Sequence, residues 1–416
     1  MPAPSPAATP SVRDAEAFIV AFAHAAHTAG TPAHRLEETV GALSARIGLE
    51  AVTYSTPTML MLGFGPDERQ RTVLLRVEPA DVHLKRLDDL HQIAQRVLTG
   101  AWPPDEGVRA LDRLKLEKPV SPGKRAAMLI LIWLLLSATL ARFFGGGLLE
   151  IAAGAVIGAL IGALSIAWPQ VTTGAPVFEL LASAVAAAVA SGAARLAADN
   201  GLALSEYVTM LSGVVGLLPG FTLTVAVTEL ASRHLASGTA RATAAASTLL
   251  QMAVGVALGS KIGEAVFGVT PSVAPVALPE WSELALLPVA AVVMAVYLNA
   301  RRERLFAIVV VSILGYFGAR WGGDALGPEL GAAVGGFVVG LASRAHAELS
   351  DCPQLVTLVP ATLMLVPGSF GFHSVSLFLG SDVTSGLDAA LRMLLIAMAI
   401  SAGLLVAQAI GRPRRV

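Results

Sequence analysis

Charge is what this sequence has least of. Asp, Glu, Lys and Arg make up 14% of its 416 residues, against roughly 25% in a soluble domain, and its mean hydropathy is +0.68. A single ordinary globular enzyme is thereby excluded. The charges nearly cancel, to a formal −1, which leaves no electrostatic footprint for nucleic acid. Cysteine occurs once, as Cys352, so no intramolecular disulfide can form and an intracellular or membrane setting is expected. The first thirty residues lack a basic stretch followed by an apolar core, because Met1–Pro10 is a Pro/Ala/Ser tail; no cleaved leader is expected. Gly-Lys-Ser/Thr nucleotide loops and Gly-x-Ser-x-Gly nucleophile elbows are absent, so catalysis has no support. His24 and His27 are spaced i, i+3 with no Cys or carboxylate at ligand spacing, and neither a metal nor another cofactor is expected.

What is present is unevenly placed. Residues 1–125 hold 15 of the 29 basic and 15 of the 30 acidic residues, so the front reads as soluble and the rest as membrane. Beyond a disordered tail at 1–14, residues 15–118 read as a small α+β domain. Phe18, Phe22 and Ala26, then Leu36, Val40 and Leu43, fall at helical spacing on either side of Gly30-Thr-Pro32. Leu49–Tyr54, Met59–Phe64 and Val73–Val77 read as strands, and Leu87–Leu98 and Glu106–Leu116 as helices. Glu37-Glu38 and Asp88-Asp89 are adjacent pairs that point to different helix sides, and are read as solvated. Residues 119–125, with Pro119 and Pro122, form the linker.

From Ala126 the chain breaks into ten apolar stretches long enough to cross a bilayer, about 20 residues each: 126–143, 147–168, 176–197, 205–228, 242–262, 282–300, 303–319, 327–346, 354–378 and 388–410. Gly154-x3-Gly158-x3-Gly162 and Gly331-x3-Gly335 permit close helix packing. With the N-terminus inside, eleven Lys and Arg residues flank the inner side and four the outer, which predicts both termini in the cytoplasm.

An internal echo is the most informative pattern. Leu217-Leu-Pro219-Gly220 recurs 148 residues later as Leu365-Val-Pro367-Gly368, and Ser237-Gly238 recurs at the same offset as Ser385-Gly386. Five spans per copy force the second copy upside down, which predicts a five-plus-five inverted repeat over 126–265 and 280–411. In such transporters, Gly/Pro-interrupted spans at matching positions point to the binding site. Proline and glycine break the helix, and freed backbone groups are tolerated at membrane depth only where they are buried or line a wet cavity. Polar residues follow both breaks: Thr222, Thr224, Thr228 and Glu229 after the first, and Ser369, His373, Ser374 and Ser376 after the second. Hydroxyls, a carboxylate and half-helix ends suit a small zwitterion. The competing reading is a kinked helix whose Ser/Thr side chains bond back to its own carbonyls. Asp388 and Arg392, spaced i, i+4, are either functional or a structural ion pair, and Arg241 is expected to snorkel.

The run Leu217-Leu-Pro-Gly-Phe-Thr-Leu-Thr224, with Glu229 and Ala236-Ser-Gly-Thr-Ala-Arg241, resembles the signature of the bacterial threonine/serine exporter family. Ala29-Gly-Thr-Pro-Ala-His-Arg-Leu-Glu-Glu38 and Tyr54-Ser-Thr-Pro-Thr58 are similar to that family's cytoplasmic domain. Where the family often carries Asp, this chain has Glu229. The resemblance, over about 15–410, implies a ten-span exporter of threonine and serine in the bacterial inner membrane, driven by protons and bathed in lipid, and leaves open a homo-oligomer. It makes Glu229 the coupling or ammonium-binding group, with Thr222, Thr224 and Thr228 on substrate and His373 a second proton carrier. Split relatives linked to dicarboxylate export supply an alternative, with Arg241 or Arg392 as the anion contact. An alternative of another class is a membrane-anchored enzyme or sensor acting through 15–118.

Overall fold

The computed structural model describes residues 12–116, 121–168, 177–270, 272–276, 278–365 and 383–410. Two helices open it, α1 (Val12–Thr28) and α2 (Ala33–Arg46). Between them Gly30 takes φ +83°, and a Cβ there would run into the backbone of Val82, so the turn needs glycine. Strands β1 (Ala51–Thr56), β2 (Met59–Phe64) and β3 (Arg71–Arg76) form an antiparallel sheet in that order, with Tyr54 opposite Met61 and Met61 opposite Leu74. Alternation along β2 sends Leu60, Leu62 and Phe64 inward onto Phe18, Phe22, Leu36 and Val40. Helices α3 (Leu84–Leu98) and α4 (Pro104–Lys115) complete this front segment.

The apolar remainder forms helices α5 (Pro122–Phe143), α6 (Leu148–Ala167), α7 (Phe178–Asp199), α8 (Glu206–Val214), α9 (Gly220–Ala231) and α10 (Leu235–Phe267). There follow α11 (Trp281–Tyr297), α12 (Leu305–Leu326), α13 (Pro328–Ser350), α14 (Leu355–Leu363) and α15 (Val383–Ile410). Among the described residues, seven of these helices are long and apolar enough to cross a membrane, and eight if α8 and α9, bent by 56°, count as one span. The protein is therefore an α-helical membrane protein with several spans. Of the ten stretches expected, 282–300 yields α11, a 17-residue helix, and 354–378 yields α14 in its first half, while 366–378 lie outside the described residues. Helix α5 starts at Pro122, within the stretch expected as the linker, where proline suits the first helical turn.

Small residues set the helix packing, because lipid provides no hydrophobic drive between spans. A Cβ on Gly255 or Gly259 of α10 would collide with the carbonyls of Leu180 and Ala184 on α7, and one on Gly336 or Gly340 of α13 with the Ile400 carbonyl or the Ala407 side chain of α15. The matched positions rise together in number, so each pair runs parallel. Gly158 likewise lies against Ser137 and the Trp133 carbonyl of α5, and Gly335 against α12; the Gly-x3-Gly runs are packing faces.

The front segment is not a tethered appendage. Its core continues through Val293, Leu298 and Ile308 of the membrane helices. The first free amides of α3, Leu84 and Lys85, donate to the carbonyls of Leu298 and Asn299 at 2.9 and 3.1 Å, which satisfies donors that a helix start leaves without partners. Asp88 and Asp89 correct the sequence reading. They are 1% and 9% exposed, and both are held by Arg301, which reaches Asp88 at 3.1 Å and also pairs with Asp89, while Arg304 reaches Asp88 at 3.3 Å. Adjacent acids do point apart, but one guanidinium spans both.

Candidate functional site

The break at Pro219-Gly220 governs the site. After α8 the chain makes a 3-10 turn at Val215–Leu217, and Pro219 caps α9 with φ −80° and ψ 36°. Gly216 is needed at the bend, since a Cβ would enter the Trp133 ring. Leaving in a new direction, α9 buries Thr224, Thr228 and Glu229 at 2%, 6% and 0% exposure. Spaced four apart, Thr224 and Thr228 share one face. Both hydroxyls bond back one turn, to the Gly220 carbonyl at 3.1 Å and the Thr224 carbonyl at 2.8 Å, as the kinked-helix reading expected. The Thr228 hydroxyl also lies 3.1 Å from that of Ser401 on α15.

Glu229 ties the site to the front segment. Its Oε1 accepts the Ala33 backbone N–H at 2.8 Å, and its Oε2 lies 3.3 Å from Nε of Arg241. Ala33 is the first residue of α2, whose capping residue Pro32 offers no side-chain acceptor. A carboxylate from the membrane region thus takes the place of a helix cap, aided by the positive end of the helix dipole. Arg241 corrects the snorkelling expectation: its side chain is 19% exposed and faces Glu229. A carboxylate without solvent needs such a counter-charge.

Two small cavities lie at this junction, sharing Pro32, Phe221 and Val225 as walls. One, about 50 Å³, also meets Asp81, Thr222 and Arg241. The other, about 40 Å³, also meets His34, Arg35, Thr224, Thr228, Thr362 and Gln408. Burial, with Arg35, His234 and Arg241 nearby, pushes His34 down to about 3, so its ring is neutral near pH 7. His234 Nε2 lies 3.1 Å from Glu37 Oε2, so Glu37 is not a solvated acid either.

Thr222, Thr224 and Thr228 line the two cavities and Glu229 contacts α2, while Pro219 and Gly220 start the helix that carries them. Pro367, Gly368, His373 and Ser374 lie outside the described residues, as do Ser369 and Ser376. Asp388 and Arg392 pair at 2.9 Å on exposed surface, with Glu329 3.5 Å from Arg392. They sit in the first turns of α15, about 14 Å (Arg392) and about 20 Å (Asp388) along the helix axis from Ser401 by helical rise. Of the two anion-contact candidates, Arg241 already faces one carboxylate and Arg392 two. Sequence reasoning missed Ala33, Arg35, Thr362 and Ser401. The first two fall within the Ala29–Glu38 run that carried the family resemblance, and Thr362 interrupts an apolar run. Among the described residues, no three His, Cys, Asp or Glu side chains are grouped to hold a metal ion.

Comparison with known proteins places these residues in a wider set. Residues 17–263 match a family model described as a threonine/serine exporter, and residues 283–410 match one described as "Threonine/Serine exporter, ThrE". Curated relatives include "Pheromone-regulated membrane protein 10" of Pichia sorbitophila, 25% identical over 86% of this chain and 36% of the relative. The protein of the same name in Saccharomyces cerevisiae is 24% identical over 93% of this chain and 53% of the relative, and that of Eremothecium gossypii is 24% identical over 86% and 49%. The chain thus spans about a third to a half of the length of these fungal proteins. No solved structure matches it.

Proposed function

Since the chain belongs to the threonine/serine exporter family, we propose that it is a secondary transporter that carries threonine and serine out of the cytoplasm in exchange for protons. The observation carrying this reading is Glu229: a fully buried carboxylate on the helix that follows the Pro219-Gly220 break, accepting the first N–H of α2 and ion-paired with Arg241. Buried ionisable groups at membrane depth are costly and default to function. Unprotonated, Glu229 holds α2 and Arg241. A proton neutralises it and weakens both contacts at once, freeing the front segment to lift. A substrate ammonium entering from that side would meet the same carboxylate. One group that binds proton or substrate in turn provides the competition an exchanger needs.

In this reading the membrane part is a ten-span, five-plus-five inverted repeat in a plasma membrane, with both termini and the front segment cytoplasmic and surrounded by lipid. Support comes from α8 and α14, each nine residues long and starting 149 residues apart, and from the parallel pairs α7/α10 and α13/α15. The core shared between the front segment and the spans favours a gate over a tethered enzyme or sensor. Proteoliposomes loaded with labelled threonine test the proposal: an imposed proton gradient should drive efflux through the wild type, and Glu229→Gln should abolish the gradient's effect. Undiminished proton-dependent efflux in the variant removes Glu229 from the mechanism. Succinate competing as well as serine would move the substrate class to dicarboxylates.

A further inference from the structure

The cavity beneath α2 contains two groups that the proton cycle of Glu229 does not use. Thr362 is 1% exposed, lines the cavity, and its hydroxyl has no hydrogen-bond partner among the described residues. Buried hydroxyls are normally bonded, and one left open calls for an explanation. Arg35, the third residue of α2, lines the same cavity. Its Nη2 donates to Gln354 Oε1 at 3.1 Å, and Gln354 is itself fixed by donating to the Gly340 carbonyl at 3.1 Å. A looser contact joins Nη1 to Glu38 at 3.5 Å. The guanidinium is thus held in place by a neutral amide with most of its five donors uncommitted. Carboxylate recognition by a planar fork needs that arrangement. The cavity volume of about 40 Å³ fits a water and no amino acid, so the arrangement is the closed one and the chamber widens as α2 withdraws.

We infer that the front segment supplies one wall of the substrate chamber, with Arg35 receiving the substrate carboxylate and Thr362 the substrate's side-chain hydroxyl. The inference rests on the exporter reading above, and it deepens that reading by giving α-amino acids with a β-hydroxyl a residue-level basis. Thr228 and Ser401 already engage each other and neighbouring carbonyls, which leaves Thr362 as the open hydroxyl partner. The front segment is then a specificity element as well as a gate.

Purified protein in proteoliposomes tests this by competition against labelled threonine, using threonine amide, which lacks the carboxylate, and valine, which is isosteric but lacks the hydroxyl. Loss of a charge-assisted contact corresponds to about a 10- to 100-fold change. Arg35→Gln should raise the threonine KM by about that factor and collapse the preference for threonine over its amide. Arg35→Lys should restore part of that preference. Thr362→Val should lower the preference for threonine over valine by about tenfold, leaving the preference over the amide intact. A role for Arg35 in packing alone would change expression or Tm and leave both preference ratios at wild-type values. If Arg35→Gln cannot be purified, Thr362→Val, which keeps the side-chain shape, decides the question. Wild-type ratios in both variants overturn the inference while leaving the exporter reading standing. A wild-type protein that moves neither threonine nor serine overturns both.

Discussion

In the proposed cycle the aspartates of α3 resist lifting of the front segment, and Asp88→Asn measures that resistance. In the wild type the Asp88 side chain is 2% exposed and shared between Arg301 at 3.1 Å and Arg304 at 3.3 Å, whose own side chains are 33% and 18% exposed. Removing one partner of a buried ion pair costs about 3–5 kcal/mol. Both arginines see some water, and Arg301 keeps Asp89, so a discounted figure of about 2 kcal/mol is appropriate here. Cys352, the chain's single cysteine, provides the assay. It is 1% exposed, between Asp351, which lies 3.5 Å from His91 of α3, and Gln354, which accepts from Arg35 of α2. A maleimide reaches it when the front segment lifts, so the labelling rate follows the open population. Two kcal/mol then becomes about a 30-fold faster reaction. Combining Asp88→Asn with Arg301→Met should give less than the product of the two single effects, because both remove the same pair. A wild-type labelling rate for Asp88→Asn would refute the view that these charges hold the junction.

Acid should loosen the same junction through His34. Its value of about 3, against 6.5 unfolded, means that its neutral form contributes stability in full above pH 6.5 and loses it as pH falls towards 3; between pH 6.5 and 5 the loss is about 2 kcal/mol. Thermal unfolding of His34→Asn should therefore be less sensitive to pH over that window than the wild type, and an equal slope would remove His34 as the cause. Gly259→Val should destabilise the protein by about 2–3 kcal/mol, read from Tm in detergent, because its Cβ meets the Ala184 backbone with no flexible side chain to yield. Arg392→Ala breaks only exposed pairs and should change stability by about 0.5 kcal/mol or less, with threonine efflux unaltered; a loss of efflux would bring that residue into the transport path.

The parts of this structure that were legible in the sequence are those with local causes. Helix periodicity and Gly30 marked α1 and α2, alternation marked β2 to the residue, and Pro219-Gly220 marked the bend. Glu229 was conspicuous because it is a carboxylate among apolar residues. Its partner was invisible: a backbone N–H has no side-chain signature, and Ala33 lies 196 positions away. Asp88 and Asp89 were misread for a related reason, since adjacent acids on a helix normally diverge into solvent, and only the fold brings Arg301 to both. Local rules also gave α10 a late start. It begins at Leu235 and runs for 33 residues, about 50 Å, because its polar first turns pack under the front segment, outside any apolar window.

Energetic scale bears on why the proposed gate and coupling group would share one junction. A substrate can shift an equilibrium only by the difference in its affinities for the two states, and a ligand bound at about millimolar strength supplies about 4 kcal/mol in total. The Asp88 contacts alone take about half of that, before α2 is pulled from Glu229 or the shared core is parted. Substrate binding by itself therefore leaves the front segment closed. A proton on Glu229 acts on the largest remaining polar contact, since it cancels the ion pair with Arg241 and weakens the cap on α2 in one step. The proton opens the junction and the substrate then takes its place on the same carboxylate, so each excludes the other, and that competition is what couples the two in an exchanger. A stronger latch would stall the cycle, and a weaker one would let the front segment lift unliganded and leak. The buried aspartates of α3 would set that balance through Arg301 and Arg304.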